Sequence, residues 1–174
     1  MGRRGARGSL CLAEWRHMRK RIVERSRTQV SDPEQGWLNL QEIATLEITS
    51  EDPNFPIDSV FTLNPGPGWR ASQRGEQRIR IILDQPIFVR RIQLLFLEPE
   101  LERTQELTLR WSSAHGGTPK EIVRQQWSFS PAGSTSEIED YQVSLDDLSV
   151  LELAIKPDLS RQEAPATLAM WRVA

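Results

Sequence analysis

Arg70 and Arg74 stand four residues apart in a stretch broken by glycine and proline, with Asn64 and Trp69 just before them and His115 further along. Arginine carries a planar fork of donors suited to vicinal hydroxyls, carboxylates or phosphates. Asparagine adds an amide, and an indole ring can stack on the apolar face of a pyranose. Arg70, Arg74, His115, Asn64 and Trp69 are therefore the candidate ligand-binding residues, expected on loops, where binding groups sit on a rigid scaffold. Each has a plainer reading. The arginines could pair with Glu51, Asp52 or Glu76 in surface ion pairs of small energetic worth. Trp69 could belong to the core, where a buried tryptophan removes about 150–250 Å² from water. A lone loop histidine need do nothing.

Catalytic chemistry finds little support. Glu98, Glu100 and Glu102 flank Pro99, but a paired-carboxylate hydrolase needs two such groups facing each other across about 5–10 Å, and this run reads as a solvated connection between strands. Glu137, Glu139, Asp140, Asp146 and Asp147 read likewise. There is no Gly-x-Ser-x-Gly elbow and no phosphate loop, and the two histidines, His17 and His115, form no cluster. Cys11 is the one cysteine, which excludes an internal disulfide and disfavours a cysteine-based zinc site. The expectation is a chain that is not an enzyme, with no cofactor and no committed metal site.

The 174 residues fit one domain with a core and a tail. At 38% hydrophobic and 26% charged the composition is that of a globular protein, and no apolar run approaches the ~18 residues needed to span a bilayer. The net charge of −2 hides an asymmetry. Residues 1–27 hold nine basic and two acidic residues, giving +7, and the remainder holds 13 basic and 22 acidic, giving −9. Residues 1–36 are expected to be a basic extension, either disordered or wrongly translated upstream of an alternative start at Met18; residues 37–174 are the domain. The run Leu10-Cys11-Leu12-Ala13 is too short for a secretory core of ~7–15 residues, so a cytoplasmic location is expected.

From Leu40 onward apolar residues alternate with period two, the mark of half-buried strands. Ala44, Leu46 and Ile48 share one face, as do Ile79, Ile81 and Leu83, then Ile92, Leu94 and Phe96, then Leu107, Leu109 and Trp111. Leu95 and Leu97 make both faces of the third set apolar, which predicts a strand covered on both sides. Further strands are expected over 122–129, 138–145, 150–156 and 167–173. Turn signals separate them at Asn64-Pro65-Gly66-Pro67-Gly68, His115-Gly116-Gly117, Ser130-Pro131-Ala132-Gly133 and Lys156-Pro157-Asp158. About eight strands with almost no helical periodicity predict an all-β fold, an antiparallel β-sandwich or jelly roll.

The order of features resembles a known family. Pro56-Ile57-Asp58-Ser59 leads to Gly68-Trp69-Arg70-Ala71-Ser72, then to the segment Gly75 to Pro86, then to Val89-Arg90-Arg91-Ile92-Gln93-Leu94. Leu107 to Trp111, Gly116-Gly117, Trp127-Ser128-Phe129 and Val150-Leu151-Glu152-Leu153 follow in the same order. This is similar to the discoidin, or coagulation-factor type C, domains of the galactose-binding-like superfamily. The family's Asp-Gly pair is Asp58-Ser59 here, Val60 follows where an acidic or amide residue is usual, and the outer disulfide is missing, which favours an intracellular member. The resemblance implies a binding module, because members bind sugars, lipids, proteins or nucleic-acid breaks. The first expectation is a carbohydrate-binding module using loops at one end of the sandwich; the alternative is a protein–protein adaptor or assembly subunit. The acidic body disfavours nucleic acid, which wants a basic face. The calcium common in the sugar-binding branch would need ~6–8 oxygen ligands. Asp52, Asn54, Asp58 and Thr62 could contribute to it without guaranteeing a cage.

Overall fold

The computed structural model describes residues 36–62, 66–113, 118–160 and 164–174. The elements are a single helical turn α1 (Leu40–Ile43), β1 (Ala44–Ile48), a 3-10 turn (Ile57–Phe61), β2 (Trp69–Arg74), β3 (Gln77–Leu97), β4 (Arg103–Ser113), β5 (Lys120–Phe129), β6 (Ser136–Lys156), β7 (Pro165–Leu168) and β8 (Met170–Val173). The expected basic extension lies outside the described residues except for Gly36.

All pairings are antiparallel. The main path runs β1-β3-β6-β4-β5, with β8 on the second half of β3 and a separate β2-β7 ribbon. The two 21-residue strands pair with each other twice. Residues 77–82 of β3 lie against 150–155 of β6, and 91–97 lie against 136–142, with register shifts between. β1, β4 and β5 extend the first half, and β8 extends the second. Each long strand therefore bends out of one layer of the sandwich into the other, as strands do at sandwich corners.

The bend is visible in side-chain phase. Ile79, Ile81 and Leu83 face the core on odd numbers, whereas Ile92, Leu94 and Phe96 face it on even ones. In β6 the inward positions are odd in both halves, Leu145 before and Leu151, Leu153 and Ile155 after, with the even-numbered Leu148 buried at the irregularity between them. An inserted residue flips every following side chain unless the strand also changes sheets. Asp147 sits at this point in β6 with φ +62°, left-handed backbone that aspartate tolerates and β-branched residues do not.

The alternation read from the sequence gives the correct inward face on every set. Three expectations change. Residues 79–83 and 92–96 belong to one strand, as do 138–145 and 150–156. Residues 167–173 divide at Ala169, whose amide donates to Leu95 O at 2.8 Å. The outer face beyond Phe96 is not covered, because β8 and β6 flank β3 edgewise and Leu97 stays exposed.

The outer face of the first layer carries charge. One register row crosses five strands as Glu47, Arg80, Glu152, Arg110 and Glu121. Arg80 pairs with Glu47 and, at 3.6 Å, with Glu152, while Arg110 reaches Glu152 at 3.3 Å and Glu121 at 3.9 Å. Two rows along the same face, Lys156 Nζ donates to Glu106 at 2.8 Å. That bond, with one from Gln126, holds the Glu106 carboxyl below its usual range.

A different polar group faces inward. Glu139 opposes Leu94 across β3 and β6 and is almost wholly buried. The Tyr141 hydroxyl donates to its Oε2 at 2.8 Å, while its Oε1 has no partner. Burial pushes the Glu139 carboxyl up, opposed by the tyrosine and helped by Glu137. A carboxyl raised on folding favours the folded state while protonated and loses that contribution as pH rises through and above the ordinary carboxylate range. Glu139→Gln keeps an acceptor for Tyr141 and should raise the thermal midpoint at pH 8 more than at pH 4. An equal change at both would show that the carboxyl titrates alike in both states. Asp147→Val should cost about 1–2 kcal/mol in chemical denaturation, since the left-handed conformation is strained for a β-branched residue, while Asp147→Gly should be tolerated.

Candidate functional site

The sandwich has two unlike ends. At one, the pairs Leu83–Ala44 and Ser113–Leu148 close the sheet, and Leu38 N donates to Val173 O. At the other, Gln77 aligns with Ile155 and Leu107, and the connections around 49–56, 75–76, 98–102, 130–135 and 157–160 gather.

This second end is tied together by polar groups. Ser50 Oγ donates to Gln77 Oε1 at 2.7 Å, the Gln73 amide donates to Ser50 Oγ at 3.2 Å, and Trp69 Nε1 donates to Ser50 O at 3.2 Å. The Asp52 amide donates to Arg70 O and the Arg70 amide to Phe55 O, which holds the 51–56 connection against β2. Gly68 lets β2 start close beside β7: a Cβ there would meet Leu168 O at 2.9 Å, and its φ of +75° suits glycine.

Arg103 opens β4 and is 3% exposed. Its guanidinium contacts Glu98 Oε2 at 2.9 Å and donates to Pro165 O at 2.7 Å and Thr167 Oγ1 at 3.0 Å. The other oxygen of Glu98 accepts from the amides of Glu100 and Leu101. One buried ion pair thus fixes the 98–101 turn and fastens β7 to β4. Burial pulls the Arg103 guanidinium down, Glu98 and Asp158 push it back up, and Arg70 adds to the lowering. The expectation of a solvated Glu98 is corrected here; Glu100 and Glu102 are exposed as expected.

Beside this pair lies an open cleft of about 380 Å³. Glu100, Leu101 and Glu102 form one wall, Thr104 and Ser128 another, and Ser160 a third, with Arg103 and Phe129 beneath. The Thr104 and Ser128 hydroxyls bond each other at 2.8 Å, and the Ser160 hydroxyl donates to Asp158 Oδ1 at 2.7 Å. Hydroxyls, carboxylates and an arginine around a shallow cleft are groups that recognise hydroxylated ligands by hydrogen bonds.

The candidate residues from the sequence fall out unevenly. Arg70 and Arg74 lie on strand β2, not on a loop, and both belong to the cleft end: Arg70 opposes Thr167 and Arg74 opposes Pro165, the two β7 residues that Arg103 grips. Neither makes an ion pair among the described residues. Their expected partners are engaged elsewhere, Glu51 with the Ile57 amide, Asp52 with Asn54 and Glu76 with Arg78. The Arg70 guanidinium instead lies 4.2 Å from the centre of the Phe55 ring. Trp69 is 1% exposed, so as a stacking platform it is corrected to a core residue. Asn64 and His115 lie outside the described residues, and the strand ends that flank His115, Ser113 and Lys120, belong to the opposite end of the sheet. Among the described residues no three His, Cys, Asp or Glu side chains converge as a metal would require, and Asp52 Oδ1 is spent on Asn54. No described helix is long and apolar enough to cross a membrane.

Removing one partner of a buried ion pair leaves the other charge uncompensated, at about 3–5 kcal/mol. Arg103→Met should therefore destabilise by about that amount in chemical denaturation, and adding Glu98→Gln should return part of the loss. Strictly additive losses would show that the two residues act independently.

No protein-family model matches the chain, and no curated protein does. Solved structures do. A family 32 carbohydrate-binding module of Clostridium perfringens in complex with GlcNAc-α-1,4-galactose has a TM-score of 0.58 at 12% identity, covering 80% of this chain and 96% of that one. The family 32 module of NanJ from the same organism, in complex with galactose, has a TM-score of 0.55 at 16% identity, covering 79% and 96%. Allantoicase matches at a TM-score of 0.53 and 16% identity, over 75% of this chain and 39% of that one. The chain shares the β-sandwich fold of these modules.

Proposed function

We propose that the domain is a non-catalytic module that binds a carbohydrate at the Arg74 end of the sandwich. The observation that carries this reading is the cleft beside Arg103. It is wide enough for a sugar ring or two and edged by hydroxyls and carboxylates. Saccharides bound to modules of the same fold add support. A cytoplasmic setting goes with this reading: the sequence has one cysteine, and small secreted domains are commonly held together by disulfides. A protein–protein adaptor is the second reading, favoured by Leu101 and Leu159, both exposed at this end.

Titration of isotope-labelled protein with a panel of mono- and disaccharides tests the first reading. Open sites of this kind bind single sugars at a Kd near ~1 mM, about −4 kcal/mol. Amide shifts are expected at 100–104, 128 and 158–160, and no shifts at the far strand ends near 113 and 120. Ser128→Tyr fills the cleft from an exposed strand position that accepts tyrosine readily and should abolish the shifts without lowering the thermal midpoint. Shifts confined to the far end, or none at tens of millimolar sugar, would overturn the reading. Loss of a copurifying protein on Leu101→Ser and Leu159→Ser would favour the adaptor.

A further inference from the structure

We infer that the sugar held in this cleft is cationic, an amino sugar with a free ammonium group such as a glucosamine unit, rather than a neutral or N-acetylated hexose. The inference rests on the carbohydrate reading of the same cleft and names its ligand class.

The first argument is charge. Among the described residues the charged side chains lining the cleft are Arg103, Glu100 and Glu102. Arg103 is already neutralised by Glu98, and both its terminal nitrogens are engaged with protein acceptors. Glu100 and Glu102 have no ion-pair partner among the described residues. That contrasts with the ladder face, where Glu47, Glu106, Glu121 and Glu152 each pair with arginine or lysine. Two unpaired carboxylates on one wall of a cleft with a neutralised floor favour a positive ligand.

The second argument is the balance of donors and acceptors. The two carboxylates accept only. Ser160 spends its proton on Asp158, and one of the Thr104 and Ser128 hydroxyls spends its proton on the other, leaving lone pairs in excess. Among the described lining side chains two donors are left over, the O–H of whichever of Thr104 and Ser128 accepts and the Nε–H of Arg103, which lacks an acceptor and is itself buried, so acceptors still outnumber donors. A ligand rich in donors with a few hydroxyl oxygens matches this inventory. An ammonium brings three N–H donors and no acceptor, whereas an N-acetyl group brings one N–H and a carbonyl oxygen that would meet carboxylates. Leu101, 44% exposed on the same wall, offers an apolar contact to the C–H face of a ring.

The test is calorimetric and NMR titration of the full chain, at pH 6 and low salt, with the β-1,4-linked disaccharide of glucosamine, its N-acetylated counterpart, galactose and spermidine. The glucosamine disaccharide should shift the amides of 100–104, 128 and 160 and bind roughly 10-fold more tightly than the N-acetylated form, a difference of about 1.4 kcal/mol. The advantage should vanish in 0.5 M NaCl through screening, and in Glu100→Gln with Glu102→Gln, whose thermal midpoint should stay unchanged because both residues are exposed. Equal affinity for neutral and amino sugars at the cleft, unaffected by the double substitution, overturns the inference and leaves the carbohydrate reading standing. Spermidine binding as well as the disaccharide overturns it too, because charge alone would then suffice. If no saccharide of either kind perturbs the cleft, both readings fall together.

Discussion

Two strands too long for the molecule that contains them set the architecture. At about 3.3 Å per residue a straight 21-residue strand would extend roughly 70 Å, nearly twice the width expected of a compact domain of ~140 residues. β3 and β6 must therefore turn, and because they are paired along both halves they turn together. The irregularities between Ile82 and Arg91 and the left-handed Asp147 are where this happens. Both layers of the sandwich are consequently built on the same two strands. β1, β4 and β5 attach to one half and β8 to the other, so the layers cannot slide independently.

The cleft depends on that arrangement through a short chain of contacts. β4 is fixed by its pairing with the second half of β6, and its first residue is Arg103. From there the guanidinium reaches Glu98, just past the end of β3, and β7, which returns from the far side of the 157–160 connection. A charge buried this deeply is tolerated because both terminal nitrogens are met by carboxylate, carbonyl or hydroxyl. The result is a cleft whose floor is fixed by a buried ion pair and whose rim carries exposed side chains.

Much of the fold could be read from the residues, because inward alternation is a local signal. Ile79, Ile81 and Leu83, or Leu107 and Leu109, announce their face without knowledge of any partner. Continuity through a bend is not local: Asp84 to Phe88 look like a turn, with Pro86 in the middle, yet they remain extended. β2 was hidden for a related reason. It is a two-strand ribbon with β7, and Ser72, Gln73 and Arg74 are exposed, so alternation stops after Ala71. Of the residues singled out for binding, Arg70 and Arg74 lie on β2 at the same end of the sandwich as the cleft, whereas Asn64 and His115 fall outside the described residues. The buried pair of Glu98 and Arg103 could not be inferred, since a run of alternating glutamates has the same composition whether it is solvated or partnered. The closest hint was an apolar strand ending on Glu98 and another beginning on Arg103.

The alternating row Glu47, Arg80, Glu152, Arg110 and Glu121 has a consequence for how this sequence can drift over evolutionary time. Reversing the sign of Arg80, Glu152 or Arg110 would set three like charges side by side across hydrogen-bonded strands, an arrangement that is unfavourable at each contact. A reversal at Glu47 or Glu121 creates just one like-charged neighbour within the row. Divergent copies of this domain would accordingly change the row from its ends inward, by neutral intermediates such as glutamine or threonine, or by exchange of adjacent residues in pairs. Its middle would act as a ratchet, slow to change and hard to reverse.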